Sequence, residues 1–333
     1  MMSATDLTQG PIFRVLHTTD FSHASDVALV HALRLALAAR AELNILHVGR
    51  TGGELDWAEF PEIGRTLRRW DEACPETACR QAVVKTGIRI GKIFGVDADP
   101  VYSVLEYLKM HPTELIVLAT HQRTGIGRLF HKATAEPIAR GSGEMTLFLP
   151  EGVEGFVSRA SGAVVLPRIL VPVDRAPAPQ SAVNAVTALL EGLGCAKATV
   201  TLLYVGEERD VPRVRITERP GWHWAQVARR GEPVEEIIRA ADERAAVLIA
   251  MTTAGHHGFL DAFRGSTTER VLRRASCPVL AVPVASRAMS RLFLKRDGTQ
   301  RAEEVGVSER EHVGPKGVVQ AASAVRQVPD RGE

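Results

Sequence analysis

Apolar runs of strand length alternate along the first part of the chain with segments that repeat apolar residues at helical spacing. Residues 12–17 form the first run, which ends near Asp20, and residues 43–48 form the second. Between them, residues 22–39 place four apolar side chains on one helical face: Val27, Val30, Leu33 and Leu37. The same pattern predicts further strands at 115–119 and 145–149 and helices at 102–110 and 133–140. Strands separated by helices indicate βαβ units and a parallel sheet.

The pattern then restarts, which indicates a duplicated domain. Residues 168–174 repeat the first strand and end again on an aspartate, Asp174. The closing segments of the two copies align without a gap at an offset of 133 residues, so that Glu136 meets Glu269 and Pro150 meets Pro283. We therefore predict four regions in order: a first domain at 11–150, a Gly/Ser-rich linker at 151–167, a second domain at 168–284, and a mostly disordered tail at 285–333.

One stretch of the second copy has the pattern of a phosphate-binding loop. An apolar run at 246–251 leads through Gly255 and Gly265 into Ser266, which with Glu269 fits a helix capping box. Glycines let backbone N–H groups approach an oxyanion closely, and a helix N-terminus favours negative charge. The competing interpretation is ordinary α/β construction, because short glycine motifs occur often without a ligand.

Comparison of the two copies favours the binding interpretation for the second copy alone. Where the second copy has Gly255, Gly265 and Ser266, the first has Gln122, Lys132 and Ala133. Two long side chains would occupy positions where bare backbone is required, and alanine cannot cap a helix. We predict a competent loop in the second copy and none in the first.

Composition narrows the class of protein. The chain has 333 residues, 45% of them hydrophobic and 24% charged, with a net charge of +2, which is typical of a soluble globular protein without nucleic-acid binding. No run approaches the roughly 18 apolar residues of a membrane span, and the first residues lack the apolar core of a signal peptide. We therefore expect a cytoplasmic protein that has no membrane partner.

No metal site or catalytic group is expected. Four scattered cysteines are interpreted as reduced thiols, and the adjacent histidines are interpreted as loop or surface residues: Cys74, Cys79, Cys195, Cys277, His256 and His257. The chain contains neither a G-x-S-x-G nucleophile motif nor a GxxxxGK[ST] loop. Efficient catalysis is not predicted.

Several motifs together resemble the universal stress protein family in its tandem two-domain form. They are ILVPVD at 169–174, LLYV at 202–205, the G-x9-G-S spacing from Gly255, GSTTERVLRRASCPVLAVP at 265–283, and TTDFS at 18–22. The resemblance covers about residues 12–150 and 168–283. It implies an α/β fold of two tandem Rossmann-like domains, each a five-stranded parallel sheet with helices on both faces. It also implies ATP or a related adenine nucleotide, with or without Mg²⁺, at the carboxyl ends of the strands.

The resemblance assigns a role to each matching position of the second copy. Asp174 and Val205 would contact the adenine and ribose, with Pro172 and Val173 lining that end. The triphosphate would lie against the remaining residues: Met251, Thr252, Gly255, Gly265, Ser266, Thr267 and Thr268. The family has glycine where this chain has Thr252, whose methyl group would crowd the phosphates or whose hydroxyl would bind them. In the first copy only Asp20 and Val48 match.

The sequence thus predicts a stress-response regulatory protein that binds an adenine nucleotide in its second domain, with the first domain as a pseudo-symmetric partner. Two alternatives stay open, a nucleotide-independent interaction or scaffolding protein and a slow ATPase or phosphotransferase. The closing strands at 145–149 and 279–282 are expected to be sheet edges that pair, either within a pseudo-dimer or in a homodimer. The sequence does not identify a regulated partner protein.

Overall fold

The computed structural model describes residues 13–49, 57–73, 88–97, 99–254 except 121–133, 267–284 and 286, with the backbone of 311–313 and 318–324. In the first half, strands and helices follow in this order: β1 (Arg14–Thr19), α1 (His23–Ala39), β2 (Glu42–Gly49), a 3-10 turn (Trp57–Glu59), α2 (Ile63–Ala73), β3 (Arg89–Val96), α3 (Pro100–Met110), β4 (Leu115–Thr120), α4 (Ala135–Ser142) and β5 (Met145–Pro150).

The second half repeats this plan. Its elements are β6 (Arg168–Pro172), α5 (Gln180–Gly192), β7 (Ala198–Val205), a 3-10 turn (Glu208–Asp210), β8 (Trp222–Arg229), α6 (Pro233–Glu243), β9 (Leu248–Thr253), α7 (Thr267–Leu272) and β10 (Val279–Pro283), followed by β11 (Glu311–Val313) and β12 (Val318–Ala324).

All of these strands belong to one sheet. Its order is β11-β12-β3-β2-β1-β4-β5-β10-β9-β6-β7-β8. Within it, β3-β2-β1-β4-β5 and β10-β9-β6-β7-β8 are each wholly parallel. The predicted fold class, two tandem units each with a five-stranded parallel sheet, is confirmed.

The two units meet through their closing strands. β5 and β10 pair antiparallel, with Thr146 opposite Ala281, Leu147 opposite Leu280 and Phe148 opposite Val279. The prediction that these edges pair is confirmed, and in this chain the pairing lies within one molecule. The pairing covers two apolar sheet edges that would otherwise present unpaired backbone groups.

Helices cover both faces of the sheet, as a parallel sheet requires. Successive residues of β1 show the alternation, because Val15 packs into one apolar cluster and Leu16 into the other. The first cluster takes in α1 and α5, and the second takes in α3, α4, α6 and α7. The core therefore consists of two layers that run across both units.

Residues 151–167, which the sequence predicts to be a linker, pack against the first unit. Phe156 and Val157 are buried, and their backbone N–H groups donate to Nε2 of His31 on α1 at 2.9 and 3.1 Å. The indole Nε1 of Trp70 on α2 donates to the carbonyl of Arg159 at 3.1 Å. The connection between the halves is thus anchored to the first unit by buried hydrogen bonds.

Two segments of the tail, which the sequence predicts to be mostly disordered, form strands. β12 pairs antiparallel with β3 over the seven residues from Val318 to Ala324, and β11 pairs with β12. β3 is the edge of the first five-stranded sheet, so its open backbone groups can pair with a strand that is distant in the sequence. Apolar periodicity does not reveal pairing of this kind.

Candidate functional site

A cavity of about 400 Å³ opens at the carboxyl ends of the strands in the second unit. The chain leaves β6 toward β7 on one side, while β9 pairs with β6 on the other side. The cavity thus lies at a topological switch point, where the loops after neighbouring strands diverge and open α/β sheets bind ligands. Its volume is within the range of small-molecule sites.

The structure brings eight of the eleven predicted site residues together around this cavity. They are Pro172, Val173, Asp174, Val205, Met251, Thr252, Thr267 and Thr268. The other three, Gly255, Gly265 and Ser266, lie outside the described residues, so the phosphate loop and its capping serine stay a prediction.

Asp174 lies exposed at one end of the cavity, immediately after β6. One carboxylate oxygen accepts the backbone N–H of Arg175 at 2.7 Å. The guanidinium of Arg175 is held in turn by Asp210 at 2.7 Å. The bond from the Arg175 N–H orients the Asp174 carboxylate at the cavity, where it can accept hydrogen bonds from a ligand.

The equivalent aspartate of the first unit has a different local role. Asp20 Oδ1 accepts the backbone N–H of Ser22 at 3.0 Å and also the hydroxyl of Ser25. Both donors belong to the start of α1, so this carboxylate stabilises a helix terminus. In the second unit α5 follows Pro179, which provides no side-chain cap. The same residue type thus acts as a helix-start acceptor in one unit and a cavity residue in the other.

Thr252, which stands where the resembled family has glycine, is buried near the end of β9. Its hydroxyl oxygen accepts the backbone N–H of Ala182, in the first turn of α5, at 3.2 Å. The hydroxyl therefore links β9 to α5. This bond is to the protein backbone, and the effect of Thr252 on phosphate binding, by its methyl group or by its hydroxyl, stays a prediction.

The first unit also lines the cavity, which sequence reasoning missed. Its contributions come from the end of α4 and the start of β5: Ala139, Arg140, Gly143, Glu144 and Thr146. They reach the cavity because antiparallel pairing sets the beginning of β5 beside the end of β10. The one relevant signal in the sequence is the 133-residue offset, which matches Arg140 with Arg273. That match does not reveal that Arg140 lies near the cavity of the second unit.

The chemistry of the lining suits binding. The described lining residues include two carboxylates, one guanidinium and several hydroxyl and apolar groups, and neither histidine nor cysteine.

Two other kinds of feature are absent from the described residues. No helix there combines the length and apolar character needed to cross a membrane. Nor does that part of the chain gather three or more His, Cys, Asp or Glu side chains into a group able to hold a metal ion.

Comparisons with known proteins agree with the fold and the repeat. The sequence model of the universal stress protein family matches residues 11–149 and 213–283. The universal stress protein MJ0531 of Methanocaldococcus jannaschii is 44% identical over 52 residues, which are 16% of this chain. The chain spans about a third (31%) of that relative's length.

One solved structure with a similar fold spans most of this chain. A universal stress protein from Archaeoglobus fulgidus has a TM-score of 0.54 at 18% identity, covering 82% of this chain and 98% of that chain. A universal stress protein solved in complex with cAMP has a TM-score of 0.27 at 21% identity, covering 41% of this chain and 96% of that chain.

Proposed function

Because the chain belongs to the universal stress protein family, we propose that it is a cytoplasmic stress-response regulatory protein that binds ATP or a related adenine nucleotide. The proposed site is the cavity of the second unit. The observation that carries the proposal is that eight residues, chosen from the sequence for this role, surround one cavity at the switch point of the sheet. Some members of the family bind nucleotides, as the cAMP complex illustrates for that protein.

The order of the strands supports one orientation of the ligand. Asp174 follows β6 and Val205 ends β7, while Thr252, Thr268 and Pro283 lie toward β9 and β10. Parallel strands are about 4.8 Å apart, so β7 and β10 are separated by roughly 14 Å. We assign the base and ribose to the β6–β7 end and the phosphates to the β9–β10 end. If Mg²⁺ accompanies ATP, it would bind with the phosphates.

The same reasoning predicts one nucleotide per chain. In the first unit the Asp20 carboxylate is bound to the start of α1, and the segment that would approach phosphates carries Gln122 and Lys132. Since β5 and β10 pair within the chain, we propose that the first unit acts as an intramolecular pseudo-dimer partner. A homodimer would need a surface other than these two strands.

Isothermal titration calorimetry with ATP tests the proposal, and the repeat supplies a matched control. We expect a stoichiometry near one, and Asp174→Ala should weaken ATP binding roughly ten-fold or more, as loss of a charge-assisted hydrogen bond predicts. Asp20→Ala, the same change in the other unit, should leave ATP affinity unchanged. Absence of binding would favour a nucleotide-independent scaffold, and release of phosphate above a Ser266→Ala control would favour a slow ATPase.

A further inference from the structure

The cavity of the second unit includes an arginine from the first unit. Arg140 is half-buried in the last turn of α4 and lines the cavity together with Thr146 of β5. Gly143, with φ +65°, ends α4 in the left-handed conformation and turns the chain into β5. Because β5 runs antiparallel to β10, this helix end lies beside the carboxyl edge of the second sheet.

The repeat provides an internal comparison for this arginine. Arg273 occupies the equivalent position of the second copy, at the 133-residue offset. Its guanidinium donates to both oxygens of Glu136, at 3.3 and 3.2 Å, and also to Oε1 of Glu269. Arg273 thus forms an ion-pair network that connects α7 with α4 across the boundary between the units.

This network takes two carboxylates that the repeat makes candidate partners of Arg140. Glu136 precedes Arg140 by one helical turn, and Glu269 is its counterpart by the symmetry of the repeat. Both are bound by Arg273, and Glu269 is almost fully buried in that contact. Among the described residues no carboxylate forms an ion pair with Arg140, so a half-buried guanidinium lines the cavity without a salt bridge to that part of the chain.

We propose that Arg140 binds the terminal phosphates of the nucleotide held in the second unit, so that the site is built from both halves of the chain. Arginine suits this role because its planar donors match phosphate oxygens, and a partly desolvated contact is stronger than one in water. Its position beyond β10 sets it at the phosphate end of the ligand. Glu144, the acidic lining residue nearest in sequence, opposes the attraction without supplying a donor.

This inference rests on the proposed function and makes a separate prediction. Arg140 should contribute more to the affinity for a ligand with three phosphates than for a ligand with one. We expect Arg140→Gln to reduce the affinity for ATP and for inorganic tripolyphosphate roughly ten-fold, and the affinity for AMP less than about two-fold. Arg140→Lys should lose less affinity than Arg140→Gln because it keeps the charge but not the bidentate geometry.

The experiment is isothermal titration calorimetry of the full chain with ATP, AMP and tripolyphosphate at one fixed ionic strength, since salt screens such contacts. The matched control is Arg65→Gln, which removes the same charge from an exposed i,i+3 pair on α2. This control should bind all three compounds as the original chain does. Thermal unfolding of Arg140→Gln should match that of the original chain, because the guanidinium has no described ion pair to lose.

The outcomes separate the two proposals. Equal ATP affinity in the original chain and Arg140→Gln would overturn the role of Arg140 while leaving nucleotide binding intact. A loss of the same size for AMP and ATP would also overturn it. If no nucleotide binds but tripolyphosphate binds in an Arg140-dependent way, the proposed function fails and the anion site stands. If neither binds, both are refuted.

Discussion

Acid should destabilise the first unit through two buried histidines. Burial lowers the pKa of His31 from 6.5 to about 4, against a smaller opposing effect of its hydrogen bond to the Val27 carbonyl. Burial also lowers the pKa of His17 from 6.5 to about 4, opposed by the Val117 carbonyl and by Asp20. In the folded chain both rings therefore stay neutral at pH values where the unfolded chain binds a proton.

The geometry around His31 explains why protonation conflicts with the fold. Nε2 accepts the backbone N–H groups of Phe156 and Val157, and a backbone N–H can only donate. The ring proton therefore lies on Nδ1, which donates to the carbonyl of Val27 at 2.8 Å. Adding a proton at Nε2 would place a donor against two donors and release residues 151–167 from α1.

The sign and size of the effect follow from proton linkage. Between pH 6.5 and about 4 the unfolded chain carries the extra proton and the folded chain does not. The free energy of unfolding therefore falls as the pH falls. With these pKa values, each histidine lowers the free energy of unfolding by about 2 kcal/mol at pH 5 relative to pH 7.5, so the two together lower it by about 4 kcal/mol. That is a large fraction of the roughly 5–15 kcal/mol that stabilises a typical domain.

Urea unfolding followed by tryptophan fluorescence at pH 7.5, 6 and 5 measures this loss. In His31→Gln the decrease between pH 7.5 and 5 should shrink to about 2 kcal/mol, because only His17 still titrates. The variant should also be less stable at pH 7.5 by about 1–3 kcal/mol, since glutamine loses the edge-on ring contact with Phe156 and does not hold an acceptor in the fixed position of Nε2. His223→Gln, at an exposed position on β8, is the control. An unchanged pH dependence in His31→Gln would refute the reasoning.

Two further pairs of substitutions test the packing near the linker and the cavity. Gly155 has φ +73°, and a Cβ there would lie 2.3 Å from His31 Nε2, whereas Gly152 has φ +79° and open space around it. Calorimetric melting should show Gly155→Ala destabilised by about 3 kcal/mol and Gly152→Ala by only about 1 kcal/mol; equal losses would exclude the contact with His31. Thr252→Val should cost about 1 kcal/mol of unfolding free energy through loss of the bond to Ala182, while Thr252→Ser should keep it. A serine variant as unstable as the valine variant would argue against that bond.

Much of the architecture follows from local pattern. The strand at 145–149 was placed within one residue, because a short apolar run between turn signals has few alternatives. The pairing of the closing strands also followed from pattern, since an apolar edge in each copy needs a partner. Six of the eight predicted residues around the cavity lie at or just after the carboxyl ends of strands, which share one edge of the sheet, and Thr267 and Thr268 begin α7 beside them; their role in binding stays a prediction.

Three features of the structure were not predicted from local sequence pattern, and the reason is the same for each. Residues 151–167 are rich in Gly and Ser, and their anchoring by His31 and Trp70 depends on side chains more than 80 residues away. β12 depends on the open edge of β3. Arg140 reaches the cavity only because β5 and β10 run antiparallel. Each is a contact between distant segments, which local periodicity does not encode.

The sequence by itself determined the repeat, the parallel sheets and the second copy as the candidate for ligand binding. These depend on residue spacing and on differences between aligned positions, and both can be read from one chain. The tertiary structure alone decided which carboxylates pair with Arg273, and that Arg140 lines the cavity without an ion pair to any described residue. The reason is physical: a charge is neutralised by whichever group lies within a few ångströms, and that distance is determined by how the two halves pack.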